Sequence, residues 1–210
     1  MDTLTAVNQE PVQITPGFQD PVHEAQACFR AIMNATARPG IRQKISISDL
    51  TPPAPLTPTG AAIALTLFDY DTPIWLDKTL MASEAVKAFL RFHTGAPIVS
   101  EPVEAAFALV ADATHLVPIA SFNQGSAEYP DRSTTVILTG QSFKAQQSVT
   151  LTGPGVKDTE RFETAPLPPV FWDQLISNAK QFPRGVDLIF AGDGEIAALP
   201  RSSRISIQEA

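Results

Sequence analysis

Between Phe18 and Gly40 (FQDPVHEAQACFRAIMNATARPG) the apolar positions repeat at helical spacing, and both ends of the repeat are marked. Asp20 is placed to accept backbone N–H groups as the N-cap, and Pro21 takes the first helical position, where its missing N–H costs nothing. Val22, Ala25, Phe29, Ile32, Met33 and Thr36 share an arc of about 100°, which predicts a core-facing stripe. Ala27, Ala31 and Ala35 form a second, smooth row that lets a neighbouring helix approach closely. They are candidate interface residues, although alanine is equally the best helix former. Arg38 suits the negative end of the helix, and Pro39–Gly40 stops it.

Further along, RQKISI (Arg42–Ile47) alternates apolar and polar residues as a half-exposed strand does. Leu50–Pro58 is too proline-rich for a helix or a central strand and reads as a stiff surface connector. Thr59 is a candidate cap for a short apolar helix, Gly60–Asp69. Ile74–Leu76 is a short buried strand. Ser83 caps the next helix, which buries Val86, Phe89 and Leu90 and stops at Gly95. Ala106–Val110 and Thr134–Leu138 have strand length and composition, Thr114–Phe122 is a weaker helical patch, and Ser148–Thr152 is expected to pair nearby. Pro168–Pro169 open an amphipathic helix running to Lys180, with Phe171, Leu175 and Ala179 on one side. GVDLIF and EIAALP flank Gly192–Asp193–Gly194, a hairpin signal. Residues 1–17 are polar and aperiodic, an expected N-terminal arm before a single α/β domain at 18–210. Interleaved helices and strands predict helices packed on a mixed sheet.

Composition narrows the function classes. At 210 residues with 44% hydrophobic and 18% charged residues, the chain is long enough for one sizeable core. A formal charge of −7 argues against a general nucleic-acid binder, and no basic stripe appears. No apolar run reaches the ~20 residues that span a bilayer. Cys28, the single cysteine, has no internal partner, which favours the reducing cytoplasm.

Candidate chemistry is sparse. LTGPGV (Leu151–Val156) follows a strand, and Gly153 and Gly155 would let backbone N–H groups approach an anion; a tight turn explains them equally. The loop lacks the Lys-Ser/Thr pair of a P-loop, and GxGxxG is absent. His93 ends a helix near Arg91, and with Asp71 and Thr72 it could form a polar site at a sheet edge; alternatively it packs and caps carbonyls. Arg184, Arg201 and Arg204 could form a basic patch for a phosphate-rich ligand or an acidic partner. His23, His93 and His115 share no metal-ligand spacing with one another or with Cys28. Serine-nucleophile motifs are missing, and none of the six lysines lies in an apolar run, as a lysine of lowered pKa would.

Several islands, taken in order, resemble the H subunit of the carbon–phosphorus lyase core complex, the PhnH family. They are DPVHEAQACFRAIMNATARPG, DTPIWL at Asp71–Leu76, RFHTGAPIV at Arg91–Val99, EYPDRS, LTGPGV, FPRGVDLIF ending at Phe190, and LPRSSR. The departures are small: Ser202 and Ser203 stand where the family tail commonly has threonines, and Thr36 stands where a larger apolar residue is common. The resemblance implies a three-layer α/β fold with helices on both faces of the sheet. That fold is like the large domain of type I pyridoxal-phosphate transferases, but without pyridoxal phosphate or any other cofactor. It implies a cytoplasmic homodimer that joins the G, I and J subunits. It further implies an accessory role, with the G, I and L subunits, when ribose triphosphate passes from ATP to an alkylphosphonate and adenine is released. A radical S-adenosylmethionine subunit later breaks the C–P bond. The alternative is a subunit lending catalytic or nucleotide-binding groups directly, with His93 as acid or the Gly153–Gly155 loop on triphosphate. Under the resemblance, Asp71, Thr72, Arg91, His93, Gly153, Gly155, Arg184 and Arg201 are the candidate anion- or partner-binding residues, and no metal site is expected.

Overall fold

The computed structural model describes residues 14–47 and 49–207, so residues 1–13 of the expected N-terminal arm lie outside the described part. The first helix, α1 (Pro21–Ala37), is capped as its sequence requires. The Asp20 carboxylate accepts from the His23 N–H at 3.2 Å, and the Glu24 carboxylate accepts from the Asp20 N–H at 2.7 Å. The chain continues through β1 (Gln43–Lys44), α2 (Pro58–Leu67), β2 (Ile74–Leu76), α3 (Lys78–Met81), α4 (Glu84–Thr94), β3 (Ile98–Val99), β4 (Phe107–Val110) and β5 (Thr135–Leu138). It ends with β6 (Val149–Thr152), β7 (Glu160–Phe162), α5 (Phe171–Ala179), β8 (Asp187–Ala191), β9 (Glu195–Leu199) and β10 (Arg204–Ile207).

Seven strands form one mixed sheet in the order β1-β9-β8-β5-β4-β2-β3, in which only β9 runs against its neighbours. Side chains alternate across it with period two. Ile74, Leu76, Leu109, Ile137 and Ile189 face α1, α2 and α4. Val110, Val136, Leu138, Leu188 and Phe190 face the other way. That second face is covered differently from the expected helical layer. It carries α5, short 3-10 turns and a separate antiparallel sheet, β10-β6-β7. Ser148–Thr152 therefore pairs with the C-terminal strand, residues the sequence reading left unassigned.

Three local expectations are corrected by the packing. On α1 the buried face is Cys28, Ala31, Ile32 and Ala35, while Val22, Phe29 and Met33 are exposed. The cause is α2, whose Gly60, Ala61, Ala62 and Ala64 are small and buried. Two helices of small residues approach closely enough to bring the Cys28 Sγ within 3.6 Å of the Ala62 carbonyl. The candidate interface row is thus divided: Ala31 and Ala35 are used inside this chain and only Ala27 is exposed. Second, α2 is capped by Thr57, whose hydroxyl accepts from the Gly60 N–H at 3.1 Å. Thr59 instead accepts from the Gly194 N–H at 3.1 Å and ties α2 to the β8–β9 hairpin. Third, Thr114–Phe122 is not an α-helix but two 3-10 turns, Ala113–His115 and Ile119–Ser121, because Pro118 removes a helical donor between them.

Candidate functional site

The parallel strands begin at one edge of the sheet, the entry edge, and end at the other, the exit edge. Hydrogen bonds join the entry loops into a continuous rim. The Ile74 N–H donates to the Pro97 carbonyl (2.8 Å), the Ala106 N–H to Pro73 (2.8 Å), the Thr134 hydroxyl to Ala105 (2.6 Å), the Asp187 N–H to Thr134 (3.3 Å) and the Gly185 N–H to Gln124 (2.8 Å). Six of the sequence-predicted residues stand on this rim. Asp71 and Thr72 precede β2, Arg91 and His93 end α4 just before β3, Arg184 precedes β8, and Arg201 follows β9.

Arg201 is the most constrained of them. Its backbone N–H and Nε donate to the Asp187 Oδ1 at 2.7 and 3.1 Å, and its Nη2 donates to Oδ2 at 2.5 Å. Its Nη1 donates to the Pro130 carbonyl. One guanidinium therefore binds the EYPDRS, FPRGVDLIF and LPRSSR segments together. This corrects the expected basic patch: Arg201 is engaged within the chain, while Arg184 and Arg204 are exposed without an ion-pair partner among the described residues. The glycine loop is also structural. Gly153 (φ 120°) lies against the Ser202 carbonyl, and Gly155 (φ 81°) lies against the Ala37 carbonyl and the Pro39 ring. Its backbone is closed onto the tail and the end of α1 instead of cradling an anion.

His93 packs on Phe89, with ring centroids 4.5 Å apart, and its Nε2 lies 2.9 Å from the Thr15 carbonyl. A carbonyl only accepts, so Nε2 carries the proton. The imidazole straps residues 14–17 to α4. Thr72 and Asp69 close a local turn, with the Asp69 N–H donating to the Thr72 hydroxyl at 2.7 Å. Asp71 donates its N–H to the Asp69 carboxylate at 2.9 Å. Among the described residues, no hydrogen bond joins His93 to Asp71, Thr72 or Arg91. From β8 to β3 is four strand spacings, about 19 Å. The candidates share an edge and not a pocket.

At the exit edge the chain order reverses between β2 and β4, which is where open α/β sheets receive ligands. Here the crevice is filled from within. The buried Asp77 carboxylate accepts from the N–H groups of Leu80 (2.9 Å), Ala111 (3.1 Å) and Asp112 (2.9 Å). Beside it, Asp112 pairs with His115 (Oδ2 to Nδ1, 2.7 Å) and accepts from the N–H and hydroxyl of Thr114. Hydrogen bonding from Thr114, and next from His115, holds the Asp112 carboxyl below the usual carboxylate range. Sequence reading missed this cluster, although Asp77 before KTLM carries a helix N-cap signature.

A groove of about 610 Å³ lies between β1 and β7, and each wall pairs charges within itself. Arg42 pairs with Glu195 at 3.2 Å, and Arg161 lies 3.7 Å from Glu163. Among the described residues no group of three or more His, Cys, Asp or Glu side chains is gathered for a metal, and no helix is long and apolar enough to cross a membrane. All six lysines are exposed or half-buried.

The comparisons with known proteins agree on one family. The model described as "Bacterial phosphonate metabolism protein (PhnH)" matches residues 16–206. A protein of Rhizobium meliloti (strain 1021), named alpha-D-ribose 1-methylphosphonate 5-triphosphate synthase subunit PhnH, is 39% identical over 188 residues, 90% of this chain and 93% of that protein. A protein of Stutzerimonas stutzeri, named putative C-P lyase subunit protein HtxG, is 34% identical over 111 residues, 53% of this chain and 56% of that protein.

Proposed function

Because the chain belongs to the bacterial phosphonate metabolism (PhnH) family, we propose that it is an accessory subunit of the assembly that joins ribose triphosphate to an alkylphosphonate. In that reaction a phosphonate oxygen replaces adenine at C1 of the ATP ribose: a C–O bond forms, the C–N bond breaks, and adenine leaves. The chain acts with the G, I and L subunits, forms a homodimer, and joins G, I and J in the cytoplasmic core complex. ATP and phosphonate are ligands of the whole assembly.

The observation that carries this reading is the engagement of Arg201, His93 and the glycine loop within the chain. Arg201 donates to Asp187 and Pro130, His93 lies on Thr15, and the LTGPGV loop is closed onto Ser202 and Ala37. None of these residues lines the groove of about 610 Å³ between β1 and β7, and the cavity under the rim is about 130 Å³. The same reading takes the layers as a relative of the large domain of type I pyridoxal-phosphate transferases. That none of the six lysines is buried supports a version that does not hold that cofactor. The test is reconstitution with the His93→Ala variant. Full assembly turnover supports the accessory role, and a loss of 10²–10⁴-fold with unaltered assembly would mark a catalytic acid.

A second reading, in which the chain lends an acid or base, has one supporting feature. In the Asp112–His115 pair the carboxylate holds Nδ1, and His115 is otherwise exposed. The His115→Ala variant decides it by the same assay.

A further inference from the structure

We propose that the entry edge is the surface through which this chain docks onto a partner subunit, and that the partner presents a basic polypeptide face with apolar recesses. The inference rests on the subunit reading above and adds the surface and the chemistry of its partner.

The first argument is where the chain exposes large apolar side chains. Tyr70 (76% exposed), Phe92 (68%), Val103 (55%), Tyr129 (51%) and Phe182 (62%) all stand in connections leading into the parallel strands. Phe29 on α1 is the one other exposed aromatic ring among the described residues. Exposed aliphatic side chains also occur elsewhere, at Val22 and Met33 on α1 for instance, but four of the five exposed aromatic rings among the described residues stand on this rim, and such rings are enriched in protein–protein interfaces.

The second argument is that two of the rings are held and a third is anchored at its base. The Tyr70 backbone and Cβ lie against Gly95 at the end of α4. Phe92 stands edge-on to His93, with ring centroids 5.0 Å apart at 89°. The Arg132 guanidinium lies over the Tyr129 ring, 4.3 Å from its centroid. The loops carrying them are joined by the hydrogen bonds of the rim. Side chains ordered before contact lose less entropy on binding.

The third argument is charge, and it selects the occupant. Asp69, Asp71, Glu101, Glu104, Glu128 and Asp131 are exposed along the same connections, against Arg91, Arg132, Lys180 and Arg184. Six acidic groups against four basic ones leave the rim negative, in a chain whose net charge is −7. A second copy presenting the same rim meets like charge, as do nucleic acid and anionic lipid. A polypeptide surface with lysine or arginine around apolar recesses is the complement.

The test measures binding of the full-length chain to the remaining subunits of the phosphonate-degrading assembly, purified without it. Tyr70→Ser/Phe92→Ser and Tyr129→Ser/Phe182→Ser should each weaken binding by about tenfold or more while thermal unfolding stays unchanged. Glu101→Lys/Glu104→Lys should slow association, and wild-type affinity should fall as salt rises. Val22→Ser, exposed in the first turn of α1, should bind as wild type does. If wild type binds and both ring pairs bind equally well, the inference is overturned while the subunit reading stands. If wild type itself fails to bind, the subunit reading falls first. If the ring variants instead dissociate a homodimer and leave subunit binding intact, the rim is a self-association face and the proposal is wrong.

Discussion

The guanidinium of Arg201 and the carboxylate of Asp187 meet in a fork, with Nε on Oδ1 at 3.1 Å and Nη2 on Oδ2 at 2.5 Å. Both side chains are mostly buried, and an Nη1 donor goes to the Pro130 carbonyl. Three segments far apart in sequence depend on this contact. Arg201→Ala leaves a carboxylate and a carbonyl without their charged donor, so unfolding free energy should fall by about 2–3 kcal/mol. Arg201→Lys should recover only part, because an ammonium cannot reproduce the fork. Chemical denaturation of the two variants and of Asp187→Asn checks this. An Arg201→Ala protein as stable as wild type would remove the contact from the account.

Gly155 and Gly140 separate two costs of adding a methyl group. Both have positive φ, 81° and 68°, but a Cβ at 155 would run into the Ala37 carbonyl, while at 140 the nearest atom is the Ala111 carbonyl at 3.9 Å. Gly140→Ala should cost about 1 kcal/mol from backbone strain alone. Gly155→Ala should cost measurably more, because the LTGPGV loop must lift from α1. Equal melting shifts for the two would show that the close approach does not matter.

Cys28 should behave as an inert thiol. It is buried between α1 and α2, and burial pushes its pKa up. A thiol-reactive dye added to the native protein at pH 8 should react slowly. It should react at once when denaturant opens the helix pair. Immediate stoichiometric labelling of the folded chain would contradict the tight packing of those helices.

These contacts show what the sequence revealed and what it concealed. Caps and stops were legible because they are local: Asp20, Ser83 and Gly95 act where their side-chain chemistry and backbone freedom place them. The β8–β9 hairpin and the short strand Ile74–Leu76 were legible for the same reason. The buried side of α1 was not, because periodicity ranks residues by hydrophobicity, while packing selected the small row that fits an alanine-rich neighbour. The pairing of β10 with β6 was hidden because the two strands are some fifty residues apart and β10 has no continuous apolar run. Candidate residues were found one by one, but their distribution along an edge is a property of topology. The N-cap signature of Asp77 was legible but its second role was not, because the Ala111 and Asp112 N–H groups it accepts from lie more than thirty residues away; the Asp112–His115 pair is a contact between close neighbours that carries no motif.

Stability should depend on pH through Asp112. Its carboxyl is held below the ordinary range in the folded protein, so its ionised form favours folding. That contribution is complete above the unfolded-state value of about 4 and is lost as pH falls through the lower folded value. The pair with His115 is exposed, so solvent screens it and the effect should be modest, below about 1 kcal/mol. Wild type should melt slightly above Asp112→Asn at pH 7, and the gap should close on acidification below pH 4. A gap that persists to pH 2 would place its cause elsewhere.

The central claim is that this chain lends structure and contacts to an assembly that performs the chemistry. It is tested most directly by following adenine release from ATP and methylphosphonate with the purified chain, with the remaining subunits, and with the two recombined. The account predicts no release from the chain alone and restored release on recombination. Sustained release from the chain alone, or full release from the other subunits without it, would contradict the account.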